Sequence, residues 1–210
     1  IIFIVLLGTI RIFFGSKDEM VYRLILLFSF IIIALNCSGG AYQKLAVDNP
    51  RALLAMEDSL TNASQLKPST VNALVLAHNA VGASDLNKKD YSSAIQHFKD
   101  AIRLNPSDTI ALYNVLIAEG RLLYKGGERN GLWDAIEKYH KASRLKPNIG
   151  EPFYYIGQSY LKNGNKDFDL ILESYEKAIS LELDPTLMPI VLAAIEKQKN
   201  REKTLKDFWK

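Results

Sequence analysis

Three histidines, one cysteine and a scatter of carboxylates are the residues of this chain best equipped for chemistry. His78, His97 and His140 do not share a His-Glu-x-x-His spacing, so the pattern does not gather metal ligands on one helix face. His97 and His140 each flank an aromatic residue, Phe98 and Tyr139, on separate segments. Acidic pairs such as Glu57-Asp58 read as solvated helix surface. No glycine loop runs into Lys-Ser/Thr, and "GGERNG" (126–131) lacks the spacing that cradles phosphate. Nucleophilic catalysis needs a base and an orienting group converging on one atom, and no such set assembles. The expectation is no catalytic residue, no metal, no cofactor and no enzymatic activity. A lone cysteine, Cys37, excludes an intrachain disulfide and a cysteine metal cage.

Cys37 follows an apolar run, and that moves its chemistry to a membrane. Residues 24–35, "LILLFSFIIIAL", are apolar except for Ser29, with Arg23 before them and Asn36-Cys37-Ser38-Gly39-Gly40 after. A positive start, a short apolar stretch and a small-residue exit make a secretory signal peptide. The run is short for a spanning helix, which takes about 20 apolar residues. With cysteine at the exit it resembles a bacterial lipoprotein signal, which implies that Cys37 is lipidated on sulfur and begins the mature chain. Ala34-Leu35-Asn36 departs from the usual box before that cysteine and is nearer the looser boxes of spirochaete lipoproteins. Ser38, rather than Asp, resembles the outer-membrane-directed members. A second apolar run, "IIFIVLLGTIRIFF" (1–14), precedes Met20. It reads either as an extension upstream of a start at Met20 or as the first arm of a membrane hairpin, with Arg11, Lys17 and Arg23 near the cytoplasmic turn.

The rest of the chain must supply the elements. Its charge is nearly balanced, +3 over 210 residues, with basic and acidic residues interspersed, which argues against nucleic acid as a partner. Four near-copies of one phrase stand out: "ASQLKP" (63–68), "AIRLNP" (101–106), "ASRLKP" (142–147) and "AISLELDP" (178–185). Upstream of each, the same steps of 4, 3 and 3 recur, as in Ala94, Phe98, Ala101 and Leu104, or Ala135, Tyr139, Ala142 and Leu145. Ile171, Tyr175, Ala178 and Leu181 keep them, and so do Met56, Leu60, Ala63 and Leu66. Such steps place four residues on one helix face, and the proline then stops the helix. The prolines, 68, 106, 147 and 185, are 38, 41 and 38 residues apart, a period that signals stacked helix pairs.

"AIQHFKDAIRLNP" (94–106) and "AIEKYHKASRLKP" (135–147) resemble the second helix of the tetratricopeptide repeat (TPR) family. Phe153-x-x-Ile156-Gly157-x-x-Tyr160 resembles its first helix, Leu112-x-x-Val115-Leu116 matches in part, and Gly82 takes the small position in the unit before. Asp90-Tyr91 and Asp167-Phe168 resemble the family's turn into the second helix. Against the family's 34 residues the units carry surpluses of 4, 7 and 4, read as turn insertions, notably "KGGERNG" (125–131). The resemblance implies an all-α, right-handed α-solenoid of antiparallel helix pairs: about three repeats, a degenerate first unit and a capping helix. The segments are 1–19 (extension or extra apolar segment), 20–36 (signal peptide or anchor), 37–49 (tether) and 50–69 (degenerate repeat helix). Repeats follow at 70–108, 109–149 and 150–185, and the cap at 186–210.

The family binds other proteins along a concave face lined by first helices. Here that resemblance implies a groove carrying Tyr113, Ile117 and Arg121 on one repeat and Tyr154, Gln158 and Lys162 on the next, each trio at i, i+4 spacing. Chaperone-binding members clamp a C-terminal carboxylate with Lys and Asn. The matching positions, Asn79, Ala83, Asn114, Glu151 and Tyr155, offer one fitting asparagine and a repelling glutamate, so that clamp is not expected. The functional expectation is a membrane-anchored, exported TPR scaffold of a bacterial cell envelope. It would bind a protein or peptide on its concave face and sit, lipid-anchored, at the outer membrane or a periplasm-facing membrane. Its rivals are an inner-membrane TPR adaptor facing the cytoplasm on an N-terminal hairpin, and a small enzyme or carrier domain on a helical solenoid.

Overall fold

The computed structural model describes residues 40–62, 67–164 and 167–208. Cys37, the apolar runs before it and the 63–66 part of "ASQLKP" lie outside the described residues. Three short helices come first: α1 (40–48), α2 (Pro50–Leu54) and α3 (Glu57–Thr61). Three long pairs follow: α4 (Pro68–Asn87) with α5 (Tyr91–Leu104), α6 (Thr109–Gly126) with α7 (Arg129–Leu145), and α8 (Glu151–Lys162) with α9 (Phe168–Ile179). A final helix, α10 (Met188–Phe208), closes the stack. From α4 onward each helix packs on its sequence neighbour and each pair on the next, with α2 seated on α4, which is a TPR-like α-solenoid.

Local chemistry sets the boundaries. Asp90 and Asp108 cap α5 and α6, their carboxylates accepting the N–H of Ser93 and Ala111 at 3.2 and 3.1 Å. Pro68 and Pro189 occupy first turns, where the missing N–H costs nothing. Gly127 ends α6 at φ 76°, the left-handed turn glycine adopts without strain.

The first three positions of the 4-3-3 faces on α5, α7 and α9 are the core, whereas Leu145, the fourth position on α7, and Met56 of the degenerate unit are exposed. Ala94, Phe98 and Ala101, then Ala135, Tyr139 and Ala142, then Ile171, Tyr175 and Ala178 are all essentially inaccessible to solvent. Opposite each ring sits a glycine. A Cβ on Gly82 would meet Phe98 Cε1 at 2.7 Å, on Gly120 Tyr139 Cε1 at 2.5 Å, and on Gly157 Tyr175 Cε1 at 2.7 Å. The missing side chain lets the ring lie on the first helix's backbone, and each buried ring is worth roughly 1.5–3 kcal/mol.

These three contacts correct the motif register in the middle repeat. Gly120, not Leu116, is the counterpart of Gly82 and Gly157. The motif there is one helical turn later than Leu112-x-x-Val115-Leu116, and the extra turn lengthens the start of α6.

Other expectations shift as well. The "KGGERNG" surplus is mostly helix, with only Gly127 and Glu128 between α6 and α7. Pro68 starts α4 rather than stopping a helix. Within the 37–49 tether, residues 40–48 form a helix, whose Ala46 is buried beside Leu53 against Ala73, Leu74 and Ala77 of α4. The degenerate unit is broken into α2 and α3 instead of keeping one long second helix. On the cap, Val191, Ile195 and Gln198 turn inward while Ile190 is half exposed. The extra residues of "LELDP" form a strap. Gly150 N–H donates to the Glu182 carbonyl at 2.7 Å, and Glu182 N–H to the Asn148 carbonyl at 2.9 Å.

Candidate protein-binding groove

The glycine register also assigns the surface one residue further on. Ile117, Arg121 and Lys125 of α6 are the counterparts of Tyr154, Gln158 and Lys162 of α8. All but Ile117 line one groove of about 560 Å³, completed by Lys89, Tyr91, Tyr124, Tyr139, Tyr155 and Leu187. Five tyrosines and four cations face it, and no carboxylate does.

The cations are held by rings. The Arg121 guanidinium lies over Tyr91 at 5.1 Å and over Tyr155 at 5.4 Å, flanked by two aromatic surfaces. Lys125 Nζ sits 5.9 Å from the Tyr91 ring. Lys162 Nζ lies 4.4 Å over Tyr124 and donates to that residue's carbonyl at 2.7 Å. Gln158 Nε2 donates to the Tyr154 hydroxyl at 2.6 Å. Ring contacts fix these long side chains without neutralising them, so their charge remains available to a ligand.

The sequence-derived residues divide. Arg121, Tyr154, Gln158 and Lys162 come together in the groove. Tyr113 does not share the place of Tyr154: it lies a turn earlier and is buried. Its hydroxyl donates to Glu151 at 3.2 Å, and Lys146 sits 4.5 Å over its ring. Ile117 is buried outright. Both were misplaced by the register slip in α6. Tyr91, Lys125 and Tyr139 were missed for the same reason or because they belong to the second helices, which the first-helix rule ignores. Glu151 accepts from both Tyr113 and Tyr155, the latter at 3.0 Å. It is thereby occupied within the fold.

Burial pushes the phenols of Tyr154, Tyr155 and Tyr139 above the ordinary tyrosine value, Glu151 adding to the effect on Tyr155. They are neutral at physiological pH and can donate. The buried Tyr139 hydroxyl, beside Arg121, has no hydrogen-bond partner among the described residues. Among the described residues no group of three or more His, Cys, Asp and Glu is placed to hold a metal, and no helix is long and apolar enough to cross a membrane.

Comparison with protein-family models finds no match. The chain is similar to the small glutamine-rich tetratricopeptide repeat-containing protein 2 of Mycosarcoma maydis, 25% identical over 142 residues, which cover 68% of this chain and 34% of that protein. It is also similar to the Hsp70-Hsp90 organizing protein of Triticum aestivum, 23% identical over 139 residues, 62% of this chain and 23% of that protein. The chain therefore spans about a third and about a quarter of the lengths of these relatives. Their likeness and the helix-pair stack agree on a TPR-like solenoid.

Proposed function

We propose that this chain is a protein-interaction scaffold that holds an extended segment of another protein in the concave groove. The observation that carries this reading is the groove itself: tyrosines and ring-held cations lining one opening with no acid among them. Tyrosine and arginine are frequent anchors at protein interfaces because they combine large contact area with directed polar groups. An acidic flank on the partner would suit Arg121, Lys125 and Lys162. The TPR-containing relatives support the interaction class.

A photo-crosslinking amino acid placed at Gln158 should trap a partner in living cells, whereas one at Lys141, exposed on α7, should not. Equal trapping at both positions, or none at Gln158, overturns the groove.

The scaffold's setting is the second part of the reading. The apolar run ending at Cys37 supports export and lipid anchoring at a bacterial envelope membrane, with stable attachment coming from paired acyl chains. Mass spectrometry of the mature N-terminus tests this. A diacylated Cys37 as first residue is the expected result, and Cys37→Ala should release the protein or block its processing. Full membrane retention of Cys37→Ala at unchanged size would favour a helical anchor.

A further inference from the structure

A buried polar chain joins the N-terminal helices to the first repeat, far in character from the groove. Glu57 of α3 lies 3.0 Å from Nε2 of His78 on α4. The other side of the same ring faces α5, with His78 Nδ1 3.1 Å from His97 Nδ1. His97 Nε2 looks toward Asp85 at 3.9 Å, and the second oxygen of Asp85 is taken by Arg51 of α2 at 2.6 Å. Lys88 stands 3.8 Å from Asp85. Arg103 bonds Glu57 and Asp100 at 3.3 and 3.4 Å. The His78 side chain is 4% exposed and the Asp85 side chain 7%. So this is no solvated surface, and four helices meet in it.

Counting protons shows what the arrangement tolerates. An ionised Glu57 only accepts, so His78 Nε2 carries its hydrogen. A neutral His78 then presents Nδ1 as an acceptor, and His97 must be the Nδ1–H tautomer. One further proton fits on His97 Nε2, facing Asp85. The next would fall on His78 Nδ1 and set N–H against N–H across 3.1 Å. A neutral Glu57 would accept the same hydrogen less strongly, through its carbonyl oxygen alone.

We propose that the His78–His97 pair is an acid-operated latch, which holds α1–α3 on the first repeat at neutral pH and releases them in mild acid. The apolar seat beside it is small: among the described residues Ala46 and Leu53 are the segment's fully buried apolar side chains, with Tyr42, Leu45, Leu54 and Leu60 partly buried around them. The sign follows from the proton balance. Burial first, then His78 and Arg51, hold His97 below the ordinary histidine value, while Asp85 and Asp100 pull the other way. Once undocked, His97 titrates near its ordinary value of about 6.5. The undocked form therefore binds more protons as pH falls through that value, and the docked form is disfavoured until His97 protonates in place. Release uncovers Ala73, Leu74 and Ala77, the apolar end of the stack.

Hydrogen–deuterium exchange of the full chain at about pH 7.5 and 5.5, normalised for intrinsic rates, tests the latch. Peptides covering 45–61 should lose about tenfold in protection at the lower pH, while α8 and α9 change less than about twofold. His97→Asn keeps an N–H donor but cannot take up a proton, and should flatten the pH response of 45–61. An unchanged wild type at pH 5.5, or a His97→Asn chain that keeps the tenfold loss, overturns the proposal. In the latter case the proton that matters is taken up elsewhere in the cluster, on His78 or a carboxylate, and not on His97. Nitrogen-15 spectra of the wild-type histidines at neutral pH test it without any variant: the expected result is the Nδ1–H tautomer for His97, and Nε2–H on both rings overturns it.

Discussion

Gly120 and Arg121 are neighbours in the chain and belong to opposite worlds, as do Gly157 and Gln158. The glycines lie under a ring of the paired second helix, and in all three repeats a Cβ there would come within 2.5–2.7 Å of that ring. The residues after them are Ala83, Arg121 and Gln158, of which the last two line the groove. Two turns of helix surface thus obey different rules. The packed face repeats because a ring on a backbone admits one shape. The groove face varies because nothing in the stack depends on it, and that freedom lets a partner be selected without changing the fold.

Substitutions on the two faces should separate cleanly. The largest effect belongs to the packed rings: Tyr139→Ala or Phe98→Ala should cost roughly 3–5 kcal/mol in denaturant melts, because the second helix cannot close over so large a cavity. Next come the glycines. Gly120→Leu or Gly157→Leu would drive a side chain into Tyr139 or Tyr175, costing roughly 1–3 kcal/mol despite the better helix propensity.

On the groove face, Arg121→Glu with Lys162→Glu should weaken partner capture by about tenfold, about 1.4 kcal/mol. Lys162→Ala alone should leave stability within about 0.5 kcal/mol. Tyr113→Ala and Tyr154→Ala belong with the packed face, since both rings are buried, and should lower the melting temperature. A comparably small effect is expected at Lys138. It pairs with Glu119 at 2.6 Å, and Glu119 also meets Lys99 at 3.4 Å. Burial pushes the Glu119 carboxyl up, but the two lysines outweigh it and hold it below the ordinary value. Lys138→Ala should cost about 0.2–1 kcal/mol, a loss that added salt reduces. Groove substitutions that unfold the chain as readily as the ring deletions would erase the distinction.

The sequence made the packed face readable and the groove only partly so. The steps Ala-aromatic-Ala on α5 and α7 and Ile-Tyr-Ala on α9 name their buried residues directly, because a 3.6-residue period is a statement about one face. The same period allows a slip of one turn, since moving four residues lands on the same face. Leu112, Val115 and Leu116 are as apolar as the true register, so α6 was aligned early and Tyr113 entered the groove in place of Lys125. The histidine cluster was invisible for another reason. His78 is 19 residues from His97 and 21 from Glu57, and Asp85 is 34 from Arg51. Contacts across that distance leave no local pattern, and each residue alone looks like ordinary surface.

The strap between residues 148–150 and Glu182 has a mechanical consequence. It stitches the turn after the second repeat to the turn after the third with two backbone bonds. Among the described residues, no backbone bond of this kind joins the turn at 105–108 to the one at 146–150. A coil sewn along one edge between two of its windings cannot lengthen there and bends instead about the seam. When such a coil is pulled from its ends, the compliance is concentrated between the first and second windings. The mouth around Tyr154 and Lys162 is then the stiff end of the spring, which keeps its shape while the other end gives.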